Sequence, residues 1–163
     1  MKIEKNNTEM IFSILSAIPD PEIPVITIAE LGILQSVTIE EDVIHVSITP
    51  TYNGCPAMKA IEDEIKEKLK ENGYQKVKVK IVYSPVWTTD WLSEEAKEKL
   101  RKYGISPPGK SNLKNPISGD SQVTCPRCKS TDVKLVSLFG STACKALYTC
   151  NTCREPFDQF KCH

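Results

Sequence analysis

The chain has 163 residues, which is enough for one ordinary domain or for a medium domain joined to a small one. Its composition, 40% hydrophobic and 26% charged, is typical of a soluble globular protein. No apolar run approaches the roughly 20 residues that a membrane-spanning helix needs, and the polar residues 1–8 lack the apolar core of a signal peptide. We therefore expect a cytoplasmic protein with no membrane partner.

The charge is divided unevenly along the chain. The net charge is −4 over residues 1–105 and +4 over residues 106–163. The mildly basic second part falls far short of the dense basic stripe that indicates a nucleic-acid-binding protein, so nucleic acid is a disfavoured partner.

Helical and strand-like patterns alternate over the first 105 residues. Two strands on either side of the acidic turn 40–42 predict an antiparallel hairpin, and the strand–helix–strand order that follows favours a parallel pair. Gly73 is placed to end the central helix and Ser93 to cap the last one. The pattern predicts an α+β fold, a small mixed three-stranded sheet with flanking helices. In chain order the elements are a helix at 7–18, strands at 34–39 and 43–49, a helix at 56–72, a strand at 77–83 and a helix at 93–103.

A change in composition divides the chain. Eleven of the sixteen residues in 106–121 are Ser, Pro, Gly or Asn, without apolar periodicity, which predicts a linker. The predicted domains are an α/β body at 1–105 and a small tail module at 122–163. A module of this size cannot bury enough apolar surface to fold unaided, so it needs a further source of stability.

The tail contains two Cys-x-x-Cys knuckles, Cys125/Cys128 and Cys150/Cys153, separated by 21 residues. Two such turns present four thiolates in a tetrahedron, the arrangement of a structural zinc ribbon. Strand-like segments at 133–138 and 146–149 lie between the knuckles. An iron–sulfur cluster also accepts four thiolates and stays open as an alternative, as do buried or disulfide-bonded cysteines. The tail holds three additional residues that could serve as metal ligands, Cys144, Cys162 and His163.

Cys55 is the solitary cysteine of the body. It lies between a strand and the central helix, where the helix dipole and free amides favour a thiolate, so it is a candidate metal-binding or nucleophilic thiol. A small apolar residue packed under the turn is the alternative. Asp20 and Glu22 lie in a proline-stiffened turn; the local sequence favours a structural role, and metal ligation is the second interpretation.

These motifs together carry a family resemblance. The body resembles the iron–sulfur assembly domain family, once known only as a domain of unknown function. Over about residues 8–163 the chain resembles the PaaD family, the small accessory proteins of the phenylacetyl-CoA epoxidase system. The matching segments are Asp20-Pro21-Glu22, Leu31-Gly32, Gly54-Cys55-Pro56, residues 84–91, residues 139–146 and residues 155–163.

The resemblance implies an accessory or maturation factor for the di-iron phenylacetyl-CoA monooxygenase of aerobic phenylacetate breakdown. Such a factor assists iron–sulfur cluster or iron loading of the reductase or oxygenase component, and the iron–sulfur reductase is the expected partner. Cys55 would bind or transfer a transient iron–sulfur cluster or iron, with Asp20 and Glu22 beside it, while zinc stays structural in the tail. The alternative is a structural or interaction subunit of the epoxidase complex. No catalytic residues are assigned to the chain alone, and a homodimer stays open.

Overall fold

A computed structural model describes residues 2–109 and 123–161, with side chains from residue 7 onward. The chain forms two compact units, Met1–Trp87 and Thr88–His163. The domain boundaries predicted at 105 and 121 follow a change in composition, whereas the packing divides the chain after Trp87. The predicted linker begins inside the second unit, where Ser106 is only 2% exposed. Linker residues 110–121 lie outside the described residues.

The first unit contains a mixed three-stranded sheet. Strands β1 (Leu34–Glu40), β2 (Val43–Ile48) and β3 (Val77–Ile81) follow the order β1-β2-β3, with β2 in the centre. The β1–β2 pair is antiparallel and the β2–β3 pair parallel, as predicted. Glu41 and Asp42 close the hairpin with φ values of 47° and 62°, the left-handed conformation that a two-residue hairpin turn requires.

Two helices contribute to the core of the first unit. Helix α1 (Lys2–Ser16) contacts β1 and helix α2 (Ala57–Glu71), and α2 also contacts β3. The helix prediction rests on an apolar stripe of Met58, Ile61, Ile65 and Leu69. All four are buried, and each contributes roughly 1.5–3 kcal/mol relative to exposure. Gly73, at φ 89°, follows the helix end, as predicted. The buried residues of α2 are Ala57, Met58, Ile61, Ile65 and Leu69.

The second unit joins a helix to a four-stranded sheet. Helix α3 (Glu94–Tyr103) begins at Ser93, whose hydroxyl accepts a hydrogen bond from the Ala96 amide at 3.1 Å, as the capping prediction required. The sheet has the order β4-β7-β6-β5, in which β4 (Ile105–Ser106) runs parallel to β7. The other strands are β5 (Val133–Ser137), β6 (Lys145–Cys150) and β7 (Pro156–Phe160).

The tail strands β5 and β6 match the two predicted segments, while β4 and β7 were not predicted. Strand β4 is only two residues long, and β7 begins with a proline and carries Asp158 and Gln159, so neither shows a clear periodic pattern. Among the described residues, no helix is long and apolar enough to cross a membrane.

Candidate functional site

The four cysteines of the two knuckles converge in the second unit. The Sγ atoms of Cys125, Cys128, Cys150 and Cys153 all lie within 4.8 Å of one another. The closest pairs are Cys128–Cys150 at 3.5 Å and Cys125–Cys153 at 3.7 Å. A tetrahedral ion with metal–sulfur bonds of about 2.3 Å places its ligand sulfurs about 3.8 Å apart. The sulfur positions therefore fit one tetrahedral metal ion, and this is the metal-binding group of the ribbon.

The two knuckles have the same backbone structure. In the first, the Lys129 amide donates to the Cys125 carbonyl at 3.0 Å; in the second, the Arg154 amide donates to the Cys150 carbonyl at 3.0 Å. Lys129 and Arg154 adopt left-handed φ values of 62° and 65°. This conformation costs a non-glycine residue roughly 1–2 kcal/mol, so the surrounding contacts and the metal must offset it.

Side-chain contacts join the two knuckles on their outer surface. The Arg127 guanidinium lies 2.9 Å from the Glu155 carboxylate, and the Asn151 side-chain amide donates to Asp132 Oδ1 at 2.8 Å. Exposed contacts of this kind contribute little each. Beneath them lies a small buried cluster that itself contains cysteines of the group, so a bound metal would add to the folding free energy here. The core consists of Val123, Cys125, Cys150 and Phe157, with Val133, Tyr148 and Cys153 packed against it.

The thiols of this group hold their protons unequally. Hydrogen bonding with the Cys153 backbone, together with contacts to Cys128 and Thr152, lowers the pKa of Cys150 to about 6 against the opposing effect of burial. For Cys153, the Glu155 backbone lowers the pKa, but burial and the neighbouring thiols raise it to about 12. The thiols of the set therefore do not share a single pKa. A metal cation displaces such protons when it binds, because its ligands are thiolates.

Of the three additional tail residues, the structure describes Cys144, which lies away from this group. Cys144 directly precedes β6 and Cys150 ends it, so the two lie about 20 Å apart at roughly 3.3 Å per residue. Cys144 is buried, and its sulfur lies 3.0 Å from the Thr142 hydroxyl oxygen. The four-cysteine site therefore does not include Cys144. Cys162 and His163 lie outside the described residues.

Cys55 lies in the first unit, after the central strand β2 and directly before α2. Pro56 occupies the N-cap position of the helix, and the Cys55 amide donates to the Tyr52 carbonyl at 3.3 Å in the preceding turn. Burial raises the pKa of the Cys55 thiol, and a hydrogen bond with the Ala57 backbone lowers it. The Glu22 carboxylate raises the pKa further, the Tyr52 side chain lowers it through a hydrogen bond, and Asp20 adds a smaller increase.

The net effect on Cys55 is opposite to the sequence expectation. The helix N-terminus does stabilise the thiolate through the Ala57 backbone, but burial and the nearby carboxylates outweigh it, so the pKa is raised. Tyr52 was not singled out from the sequence. Its place three residues before Cys55 is the spacing of a tight turn, and that spacing is the signal that points to it.

Asp20 has a structural role in its turn. Its Oδ1 accepts hydrogen bonds from the amides of Glu22 at 2.9 Å and Ile23 at 2.8 Å, and its side chain is only 5% exposed. One carboxylate oxygen thus shapes the turn that the local sequence favoured. The same turn brings Glu22 and Asp20 close enough to Cys55 to act on its charge.

Known protein families match the first and the last part of the chain separately. The profile described as an iron–sulfur cluster assembly protein matches residues 8–81, and the profile of the PaaD zinc beta ribbon domain matches residues 110–161. A crystal structure of a domain of unknown function, DUF59, from Bacillus anthracis aligns with a TM-score of 0.56 at 27% identity. That alignment covers 61% of this chain and 95% of the other.

Two curated proteins are similar to the chain over different lengths. An Escherichia coli (strain K12) protein, named as a candidate 1,2-phenylacetyl-CoA epoxidase subunit, is 49% identical over 93% of this chain and 91% of its own length. The Bacillus subtilis (strain 168) Fe-S protein maturation auxiliary factor YitW is 37% identical over 60% of this chain and 97% of its own. The chain therefore belongs to the PaaD family, in which an iron–sulfur cluster assembly domain is followed by a zinc β-ribbon.

Proposed function

We propose that this protein is an accessory factor of a phenylacetyl-CoA epoxidase system and helps to load an iron–sulfur cluster or iron into the reductase or oxygenase component. Two relatives support the proposal from different sides. One is named for the epoxidase and the other for iron–sulfur protein maturation, and the second covers the unit that contains Cys55.

The observation that carries the proposal is the position of Cys55 before α2, where the charges of Glu22 and Asp20 reach its thiol. Glu22 and Asp20 act on the half-buried thiol and oppose its ionisation. Negative charge at this position disfavours a lone thiolate and favours the approach of a cation. Cys55 is thus suited to receive iron or a cluster as cargo and to release it again.

The metal of the four tail cysteines is zinc in this proposal, and its role is structural. The sulfur spacing fits zinc–thiolate bonds, and a tetrahedral set of four thiolates is typical of closed structural zinc sites. A single iron ion would use the same geometry, so metal analysis decides between them. Zinc without a visible absorption band is the expected result; stoichiometric iron at these cysteines would contradict it.

The histidine content argues against a catalytic role in oxygen chemistry. The chain contains two histidines, His45 and His163. A di-iron carboxylate bundle takes a Glu-x-x-His motif from each of two helices, and the sequence contains no such motif. An accessory role is therefore the more economical assignment.

The decisive experiment replaces Cys55 by serine and measures cluster loading in cells that depend on this chain. Cys55→Ser should leave the reductase component poor in cluster, by its visible absorption, and should slow growth on phenylacetate. Asn53→Ser, an exposed change in the same loop, is the matched control and should behave as wild type. Normal growth with fully loaded reductase in the Cys55 variant would overturn the proposal.

A second candidate function is a structural component of the epoxidase complex, favoured by the name of the Escherichia coli relative. The two functions differ in timing, because a structural component must stay bound during turnover and a maturation factor need not. Stoichiometric co-purification with the active oxygenase, together with loss of activity when this chain is withdrawn, would favour the structural function.

A further inference from the structure

The hairpin that joins β5 to β6 carries an exposed apolar surface that the proposed function does not use. Four large apolar side chains, hereafter the apolar tip, lie within five consecutive residues of this hairpin. They are Leu135, Val136, Leu138 and Phe139, exposed to 42%, 56%, 62% and 63%. Within the part of the chain that the structure describes, β5 is also the outermost strand of its sheet. Exposed apolar residues that cluster in this way often mark an interaction surface, whereas single exposed apolar residues are common and carry no such meaning.

Lys161 contacts the two most exposed residues of the apolar tip. The Lys161 ammonium lies 4.4 Å from the centre of the Phe139 ring and also donates a hydrogen bond to the Leu138 carbonyl. The Phe139 amide donates to the Ser137 hydroxyl at 3.2 Å. An exposed aromatic ring that already has such a contact loses less conformational entropy when a partner covers it, which favours tighter binding.

The loop behind the tip is equally constrained. The Gly140 amide donates to the Lys145 carbonyl at 2.7 Å, and a Cβ atom at Gly140 would lie 2.3 Å from Asp158 Oδ1. The Ser141 hydroxyl donates to Asp158 at 2.7 Å and accepts from the Lys145 ammonium at 3.0 Å. The close approach of Gly140 and this short network hold the hairpin against β7, so the tip is a rigid element and not a loose loop.

The charge around the tip indicates which partner it fits. Lys134 is the only charged residue in 133–139, and Lys161 adds a second positive charge beside Phe139. A second copy of this chain would bring like charges together, which disfavours self-association. Lys134 and the irregular pairing between Leu135 and Ser137 also disfavour simple strand addition at this edge. The surface is therefore complementary to an apolar segment flanked by carboxylates.

We propose that the apolar tip is the docking surface for an epoxidase component, and that it receives an amphipathic segment in which apolar side chains are flanked by Asp or Glu. This inference rests on the proposed function for the choice of partner. Phe139 and Leu138 are the central contacts, because they are the most exposed members of the tip and both contact Lys161. Lys134 supplies the charge contact at the edge.

The test measures the binding of metal-loaded full-length protein to the purified reductase and oxygenase components, each as a separate probe. The double variant Leu138→Ser/Phe139→Ser should weaken binding by at least about tenfold, as expected for a central aromatic contact. Tyr103→Ser, at a side chain exposed to 52%, is the matched control and should change affinity less than about twofold. Lys134→Glu should weaken binding and reduce its sensitivity to salt.

A second measurement does not depend on the variants. Hydrogen exchange of the wild-type protein should show protection at residues 134–139 when the binding component is present. The inference is overturned if neither component binds, if the double variant binds like the Tyr103 control, or if the bound protein shows no protection there. Cys55→Ser should bind normally while failing to load the cluster. If the tip variant binds normally and the Cys55 variant fails to load the cluster, this inference alone is removed. If the tip variant binds weakly and the Cys55 variant loads the cluster normally, the proposed function alone is removed.

Discussion

Gly140→Ala is expected to destabilise the second unit through one steric conflict. The added Cβ would lie 2.3 Å from Asp158 Oδ1, 3.2 Å from Asp158 Cγ and 3.4 Å from Lys145 Cβ. The φ of Gly140 lies outside the left-handed range, so alanine suits the backbone there and the effect arises from the contact alone. Asp158 must turn away, and doing so breaks its 2.7 Å hydrogen bond with Ser141.

The magnitude follows from three contributions. Loss of the exposed Ser141–Asp158 hydrogen bond costs about 1 kcal/mol, and the forced shift of the loop at Gly140 costs about 1–2 kcal/mol. The reduced entropy of the unfolded chain on replacing glycine by alanine offsets roughly 0.4–1 kcal/mol of this. The net loss is about 1–2.6 kcal/mol. For a unit of this size, each kcal/mol lowers the melting temperature by about 4–8 °C.

The assay is a double-mutant cycle in which denaturant unfolding of the metal-loaded protein measures the stability of each variant. Asp158→Ala removes the conflicting carboxylate, so Gly140→Ala should be neutral or slightly stabilising in that background. Ser141→Ala measures the hydrogen bond by itself. An equal cost of Gly140→Ala with and without the Asp158 carboxylate would refute the steric argument, because no clash then distinguishes the two backgrounds.

Three further predictions concern the two candidate sites and the core. Cys153→Ser, or removal of the metal by a chelator, should unfold the ribbon strands while the β1–β3 sheet persists, as judged by hydrogen exchange; a ribbon that stays protected without metal would contradict this. The alkylation rate of Cys55 should rise with pH at a midpoint above the pKa of an ordinary thiol, because burial and Glu22 raise the pKa of Cys55. Glu22→Gln should lower that midpoint; an unchanged pH profile of the alkylation rate would show that Glu22 has no effect. Trp87→Phe should cost about 1–3 kcal/mol in urea unfolding, because the Leu31 carbonyl loses the indole donor that lies 2.7 Å away; an unchanged midpoint would refute that estimate.

Local patterns in the sequence were sufficient for the elements that depend on neighbouring residues. The apolar stripe of the central helix, Gly73 after it and Ser93 before α3 all match the structure. Each of these signals acts over one or two turns of the chain, so periodicity and capping chemistry can detect it. The two knuckles are local in the same sense, and their spacing indicated which four sulfurs would meet.

Contacts between distant residues were decided only by the tertiary structure. Cys55 and Glu22 are 33 positions apart in the sequence, and the carboxylate, together with burial, reverses the pKa shift that the helix terminus alone would cause. Cys144 has the same residue type as the four ligands, but strand β6 carries it about 20 Å away from them. The pairing of β4 with β7 likewise draws α3 and its following residues into the second unit. The sequence by itself determined the helices, most strands and the two cysteine knuckles, because short-range backbone and side-chain chemistry controls them. The charge state of Cys55, the exclusion of Cys144 and the boundary between the units depend on distances through space, which only the folded chain defines.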